Sequence, residues 1–296
     1  MKNLKRLFFI MCAVFILAGC KEKVPEEESL KVQEEQEAEE EKLRKEKEEQ
    51  EKIKKQKEEE ERKKQEEEER LKAEEEERAR AEEEARKKPQ IVVLDPGHSA
   101  VVAEGSEPLG PGSQEYKSAD AAGTRGISSG VPEYELTLTV SLQLKAELES
   151  RGYTVLMTRE TNDVPISCIQ RADVANNAGA SAYVRIHANG SENQSARGAM
   201  TICTTPQSPY APELYTASRQ LSDCILGKFC EATGCISENV WETDSMSGNN
   251  WSQVPVTIVE MGYMTNPEED MLMQTPEYQA QIVQGIANGI EAFFGY

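Results

Sequence analysis

Residues 90–98 read Gln-Ile-Val-Val-Leu-Asp-Pro-Gly-His, an apolar run that ends abruptly in an acid, a proline, a glycine and one of only two histidines in the chain. The run predicts a short buried strand, and Asp95-Pro96-Gly97 a tight turn that leaves His98 just past the strand end. Working outward, Leu136, Val140, Leu144 and Leu148 recur every four residues, which predicts an amphipathic helix stopping at Gly152. Strands are expected at Tyr153 to Met157, Ala182 to Ile186, Ala199 to Cys203 and Pro255 to Val259. Helices are expected at Pro165 to Ala178, at Pro212 to Thr233 and around Ile282, Ile286 and Ile290. Strands that alternate with helices predict an α/β fold, a mainly parallel twisted sheet with helices on both faces. In such sheets ligands bind beyond the C-terminal strand ends. The polar, Gly-rich stretch from Ser99 to Val131 is long enough to be a functional loop or an insertion beside a site.

Upstream of that strand the chain changes character. Of its 296 residues, 21–88 carry 21 Lys/Arg against 29 Glu, with too few apolar side chains to bury a core. Leu30, Leu43, Ile53 and Leu71 are too widely spaced for a coiled-coil seam, whereas Glu recurs four residues before Lys or Arg, as in Glu51/Lys55, Glu60/Lys64 and Glu66/Arg70. The segment is therefore a spacer, a solvated helix or a disordered charged tether. Residues 1–20 carry three positive charges, an apolar run from Leu7 to Gly19 and then Cys20. The run is too short to span a bilayer and reads as an export signal. Leu17-Ala18-Gly19-Cys20 resembles the lipobox of bacterial lipoproteins, which implies a lipid on Cys20 as the membrane anchor and an extracytoplasmic location facing the cell wall. Three regions are thus expected: a signal peptide over 1–19, a lipidated N-terminus and spacer over 20–89, and one globular domain over 90–296.

That domain holds 10 Lys/Arg against 25 Asp and Glu, a balance that excludes nucleic acid as a partner and excludes simple electrostatic adhesion to an anionic wall. Its five cysteines, Cys168, Cys203, Cys224, Cys230 and Cys235, lack the Cys-x-x-Cys spacing of a zinc site, and their pairing is not fixed by sequence.

The two histidines are the informative residues. His98 follows the first strand and His187 follows the Ala182 to Ile186 strand, so both fall where an open α/β sheet puts its ligands. Glu133 stands where the Leu136 to Leu148 helix begins, and Glu260 ends the apolar run Val256 to Val259. An acid at a helix start also interacts favourably with the helix dipole, but a carboxylate continuing a buried strand must be paired, metal-bound or catalytic. Two histidines and one carboxylate, with a fourth position left to water, form the ligand set of a catalytic zinc ion, and a second carboxylate would serve as general base. The chain has no Gly-x-Ser-x-Gly, no phosphate loop and no His-Glu-x-x-His helix.

Four motifs in order carry a family resemblance: Ile91 to His98, Glu133 leading into a Leu-rich helix, Ile186-His187-Ala188-Asn189, and Val259-Glu260-Met261-Gly262-Tyr263-Met264-Thr265-Asn266-Pro267. Together they resemble the zinc-dependent N-acetylmuramoyl-L-alanine amidases. The resemblance implies a peptidoglycan hydrolase that cleaves the amide between N-acetylmuramic acid and L-alanine. It assigns one Zn(II) to His98, Glu133 and His187, and the catalytic carboxylate to Glu260. Glu135 is the rival to Glu133 at the helix start. Asn189, Asn250 and Thr265 are expected to contact substrate. Arg185 departs from the pattern, standing where a small Ser is usual before Ile-His-Ala-Asn. The alternatives are a zinc hydrolase of another peptidoglycan or peptide amide bond, and a non-catalytic wall-binding lipoprotein.

Overall fold

The computed structural model describes residues 26–87 and 90–295, with side chains over 37–77 and 90–295. The export signal and Cys20 lie outside the described residues. The chain divides into two compact units at Ala81/Glu82, near the end of the N-terminal helix.

Helix α1 spans Glu26–Lys87 without interruption. Its Leu43, Ile53 and Leu71 stay exposed, as the wide apolar spacing requires. Ion pairs four residues apart line it, among them Glu51–Lys55 at 2.9 Å and Glu59–Lys63 at 2.9 Å. Glu66 and Arg70 do not pair with each other: Glu66 takes Arg62 and Arg70 turns to Glu74. At 1.5 Å per residue the helix is on the order of 90 Å long. Among the described residues no helix is long and apolar enough to cross a membrane.

The domain is built on strands β1 (Ile91–Pro96), β4 (Thr154–Met157), β5 (Ala182–Asn189), β6 (Ala199–Cys203), β7 (Ser237–Glu242) and β8 (Val256–Tyr263), ordered β4-β1-β5-β8-β6-β7. The first four strands in that order run parallel, and only the β6–β8 pair is antiparallel. Alternation along β1 divides the core. Val92 and Leu94 join helices α2 (Glu133–Ser150), α4 (Tyr215–Thr233) and α7 (Pro276–Phe294) on one face, where Leu144, Ile225 and Ile286 are fully buried. Val93 joins Tyr183, Val256 and the alanines of α3 (Cys168–Ala178) on the other.

Several boundaries differ from the sequence reading. Helix α3 starts at Cys168 rather than Pro165, because Ser167 caps it in a reciprocal capping box with Gln170. Residues Pro212–Leu214 form a 3-10 turn ahead of α4. Strand β5 continues through His187 to Asn189, and β8 through Glu260 to Tyr263, so both functional side chains sit within strands rather than beyond them. The Ser99 to Val131 stretch contains a hairpin, β2 (Ser106–Pro108) with β3 (Tyr116–Ser118). Short helices α5 (Ser247–Asn250) and α6 (Pro267–Met273) flank β8. The sulfurs of Cys230 and Cys235 lie 3.4 Å apart at the end of α4.

Asp95, on β1, is fully buried and accepts four hydrogen bonds. Arg171 of α3 and Thr158 donate to Oδ1 at 2.8 and 2.6 Å. Arg185 of β5 and Tyr183 donate to Oδ2 at 2.9 and 3.1 Å. Arg171 also donates to the Pro96 and His98 carbonyls, so the same network fixes the turn after β1. Burial alone would raise the Asp95 pKa, but Arg171, Arg185 and Thr158 outweigh it and hold the carboxyl far below its usual range. A depressed folded pKa means the stabilisation is fully present above about pH 4 and is lost as pH falls below that. Asp95→Asn leaves two buried guanidiniums short of their counter-charge and is expected to cost about 3–5 kcal/mol of unfolding free energy. Urea denaturation at pH 7 checks this, and a loss under about 1 kcal/mol would contradict it.

Candidate active site

Four side chains converge above the C-terminal ends of β1, β5 and β8. His98 follows Gly97, whose N–H is held by the Ile186 carbonyl at 2.8 Å. His98 itself adopts φ 61°, a left-handed conformation that costs a residue with a Cβ and persists because Arg171 and the Asn162 carbonyl pin the turn on either side. Its Nδ1 lies 2.7 Å from the Ala121 carbonyl, which leaves Nε2 facing inward. His187 and Glu260 stand opposite each other in the β5–β8 ladder, and the register shifts directly after His187. A bulge there re-aims the strand beside the site.

Glu133 is the hub. It opens α2 and is 3 % exposed. Its Oε1 lies 3.2 Å from His98 Nε2 and 3.1 Å from His187 Nδ1, and accepts the Ala188 N–H at 3.1 Å. Its Oε2 accepts the Thr124 N–H at 2.8 Å, while its own N–H donates to the Thr124 carbonyl at 2.9 Å. Burial opposes the charged form of Glu133, but His187 and His98 outweigh it and its pKa is held far below the carboxylate range. Burial pushes His187 down to about 4 despite Glu133, so its ring is neutral at pH 7. For His98 burial acts downward, and Glu133 with the Ala121 carbonyl and Asp120 more than offsets it. Burial, then the charge of Glu133, raises Glu260 to about 8. Glu260 Oε2 and His187 Nε2 are enclosed and have no hydrogen-bond partner.

The three inward donor atoms suit a small tetrahedral cation. All of the ligand atoms of His98, Glu133 and His187 lie within 4.8 Å of one another. Two ligands at about 2.1 Å from one tetrahedral zinc stand roughly 3.4 Å apart, close to the Glu133–histidine distances. The Ala121 carbonyl on the outer nitrogen of His98 fixes the tautomer that leaves Nε2 able to coordinate.

Glu135 is exposed and outside this cluster. Asn189 and Thr265 line a cavity of about 510 Å³ that opens onto His98, Glu133, His187 and Glu260. Asn250 is not brought to it. Buried in α5, it donates to the Leu109 and Asp244 carbonyls at 2.9 and 2.8 Å and ties loops together. Sequence reasoning missed Asp95, Arg159 and Arg171 beneath the site. Asp95 carried a usable signal, since an acid continuing a buried strand must be paired. It also missed Gly97 and Gly123, where a Cβ would come within 2.4 Å of the His187 ring and 2.7 Å of both Glu133 and His98.

Two half-buried histidines and a half-buried glutamate at the strand ends, with the buried Glu133 at a helix start between them, make a concentrated site at the C-terminal edge of an open α/β sheet. Residues 92–292 match the family model described as N-acetylmuramoyl-L-alanine amidase, and the chain belongs to that family. An N-acetylmuramoyl-L-alanine amidase of Mycobacterium tuberculosis is 27% identical over 210 residues, which cover 69% of this chain and 86% of the relative. The probable cell wall amidase LytH of Staphylococcus aureus is 26% identical over 203 residues, 69% of this chain and 58% of LytH. Among solved structures, the N-acetylmuramyl-L-alanine amidase of Mycobacterium smegmatis superposes with a TM-score of 0.64 at 27% identity, covering 70% of this chain and 97% of its own. The enzyme class of the chain is that of the N-acetylmuramoyl-L-alanine amidases.

Gly97→Ala drives a methyl group into the His187 ring. Displacing a reacting group by about 1 Å costs on the order of 100-fold in rate. Release of stem peptide from purified sacculi is expected to fall by about that factor in a variant that keeps its far-ultraviolet circular dichroism; unchanged release would contradict the geometry.

Proposed function

We propose that the amidase is zinc-dependent, with His98, Glu133 and His187 as metal ligands and Glu260 as the catalytic carboxylate. The observation that carries this reading is the convergence of His98 Nε2, His187 Nδ1 and Glu133 Oε1, with Glu133 3.2 and 3.1 Å from the two rings and all three residues' ligand atoms within 4.8 Å of one another, beside the unpartnered Oε2 of Glu260. Zinc bound there would supply Lewis acidity toward the scissile carbonyl and the attacking water.

The chain's own residues supply the proton path and the orientation. Glu260 takes the proton from the water that attacks the lactyl carbonyl and delivers it to the nitrogen of L-alanine as the carbon–nitrogen bond breaks. A pKa raised toward the working pH suits a group that must both accept and give up that proton. Glu133 and the Ala121 carbonyl hold the rings in place, and Gly123 leaves the space the cluster needs. Asn189 and Thr265 face the substrate from the cavity of about 510 Å³. The reading extends to the rest of the chain: an export signal over 1–19, a lipid on Cys20, and α1 as the spacer that holds the amidase domain of residues 90–296 away from the membrane and toward the wall.

Glu260→Gln is expected to retain stoichiometric zinc by inductively coupled plasma mass spectrometry while hydrolysis of sacculi falls by about 10²–10⁴-fold. His98→Ala is expected to lose the metal itself. Full activity in either variant refutes the assignment. Fragments with a free L-alanine amino terminus and an intact lactyl group identify the bond. For the anchor, Cys20→Ser should move the protein from the membrane fraction to the medium, and a variant that stays membrane-bound contradicts lipidation at that residue.

A further inference from the structure

The scissile amide joins a glycan to a peptide, so a bound substrate must leave the His/Glu cluster in two directions. Two cavities meet at that cluster, and their chemistry differs. The one lined by Thr124, Asn189, Ser191, Glu192 and Thr265 offers hydroxyl, amide and backbone groups and one further carboxylate and, apart from the site histidines, no basic side chain. The other, of about 380 Å³, lies under the β2–β3 hairpin on the α3 side of the sheet and is lined by Lys117, Asp120, Arg171, Arg185 and Gly248.

The polar groups of this second cavity are not all satisfied by the protein. Arg171 spends its donors on Asp95 and on the Pro96, His98 and Ile166 carbonyls. Arg185 gives Nε to Asp95 and Nη1 to Asn249 at 3.3 Å, and no acceptor among the described residues meets its Nη2. Gly248 packs on that guanidinium so closely that a Cβ would come within 2.6 Å of it, which fixes its plane. Lys117 gives one hydrogen bond to the Ser245 carbonyl at 2.7 Å and pairs with no acid among the described residues. Asp120 supplies the opposite sign: its Oδ2 is enclosed, without a hydrogen bond, and 3.9 Å from Arg171. The hairpin wall is fixed rather than loose, since Glu107 accepts from Ser167 and the Ile169 N–H, and Trp251 donates to the Pro108 carbonyl at 2.9 Å.

We infer that this cavity is the stem-peptide subsite, in which Lys117 and Arg185 read a free carboxylate on the residue after L-alanine. The inference rests on the amidase reading and adds the class of stem it takes. A ligand that carries a carboxylate meets Lys117 and Arg185 here, whereas the other cavity has acids and no basic side chain beyond the histidines to receive one. Cation–carboxylate hydrogen bonds are the strong, directional ones, and amidation of the carboxyl removes them.

The test compares muropeptides bearing L-Ala-D-Glu or its α-amide, L-Ala-D-isoglutamine. Wild-type protein with its metal is expected to cleave the acid with kcat/KM about tenfold or more above the amide. That ratio should fall toward one in Lys117→Met, on the hairpin surface, and in Arg185→Gln. Equal kcat/KM for acid and amide in the wild type, or a ratio kept in both variants, overturns the inference. Calorimetric titration with the two free stem peptides reads the subsite without turnover. An inert protein that still prefers the acid would therefore sink the amidase reading and keep this one, while active protein with no preference would do the reverse.

Discussion

The structure depends on one buried carboxylate. Asp95 ends the first strand with no solvent contact and is held between the guanidiniums of Arg171 and Arg185. Such a group is tolerated inside a protein only when its charge and its lone pairs are both met. Here they are met by side chains from β5, from α3 and from the turn after β4, so one residue ties three elements to the end of β1. Arg171 then reaches past Asp95 to the Pro96 and His98 carbonyls. Arg159 does the same from the other side, donating to the Pro96, Gly97 and Tyr134 carbonyls. The strained backbone of His98 is the result of that clamping, and the site is assembled around it.

Above this layer the logic repeats. Glu133 is a buried anion whose partners are two histidines and the N–H groups of Thr124 and Ala188. It anchors α2 to the loop and to β5 at once. Glu260 stands opposite His187 in the sheet without comparable partners. The contrast supports the proposed roles: a carboxylate with several donors stays ionised and holds a geometry, whereas one with none is free to exchange a proton.

Much of this was legible in the sequence. The apolar run before Asp95, the four-residue leucine period from Leu136 to Leu148 and the isoleucines of the last helix each follow from a simple period, and each element formed where the period placed it. The two histidines stood out because there are only two, at strand ends. What stayed hidden depends on contacts distant in sequence. Nothing near Arg171 or Arg185 shows that both point at Asp95, 76 and 90 residues away. The β2–β3 hairpin and β7 lack the apolar alternation that marks a strand, since both lie at the periphery and bury little. Asn250 looked like a substrate contact because amide side chains often are, yet its burial makes it a tie between loops. Arg185 read as an oddity until the fold set it between Asp95 and a cavity.

In the proposed centre Glu133 and the two histidines share one metal ion. Anomalous diffraction at the zinc absorption edge, on crystals of the purified protein, locates that ion. A single strong peak is expected about 2.0–2.2 Å from His98 Nε2, His187 Nδ1 and a Glu133 carboxylate oxygen, with Glu260 close by and not coordinated. A peak at another set of side chains, or no peak in crystals of protein that still cleaves peptidoglycan, would contradict it.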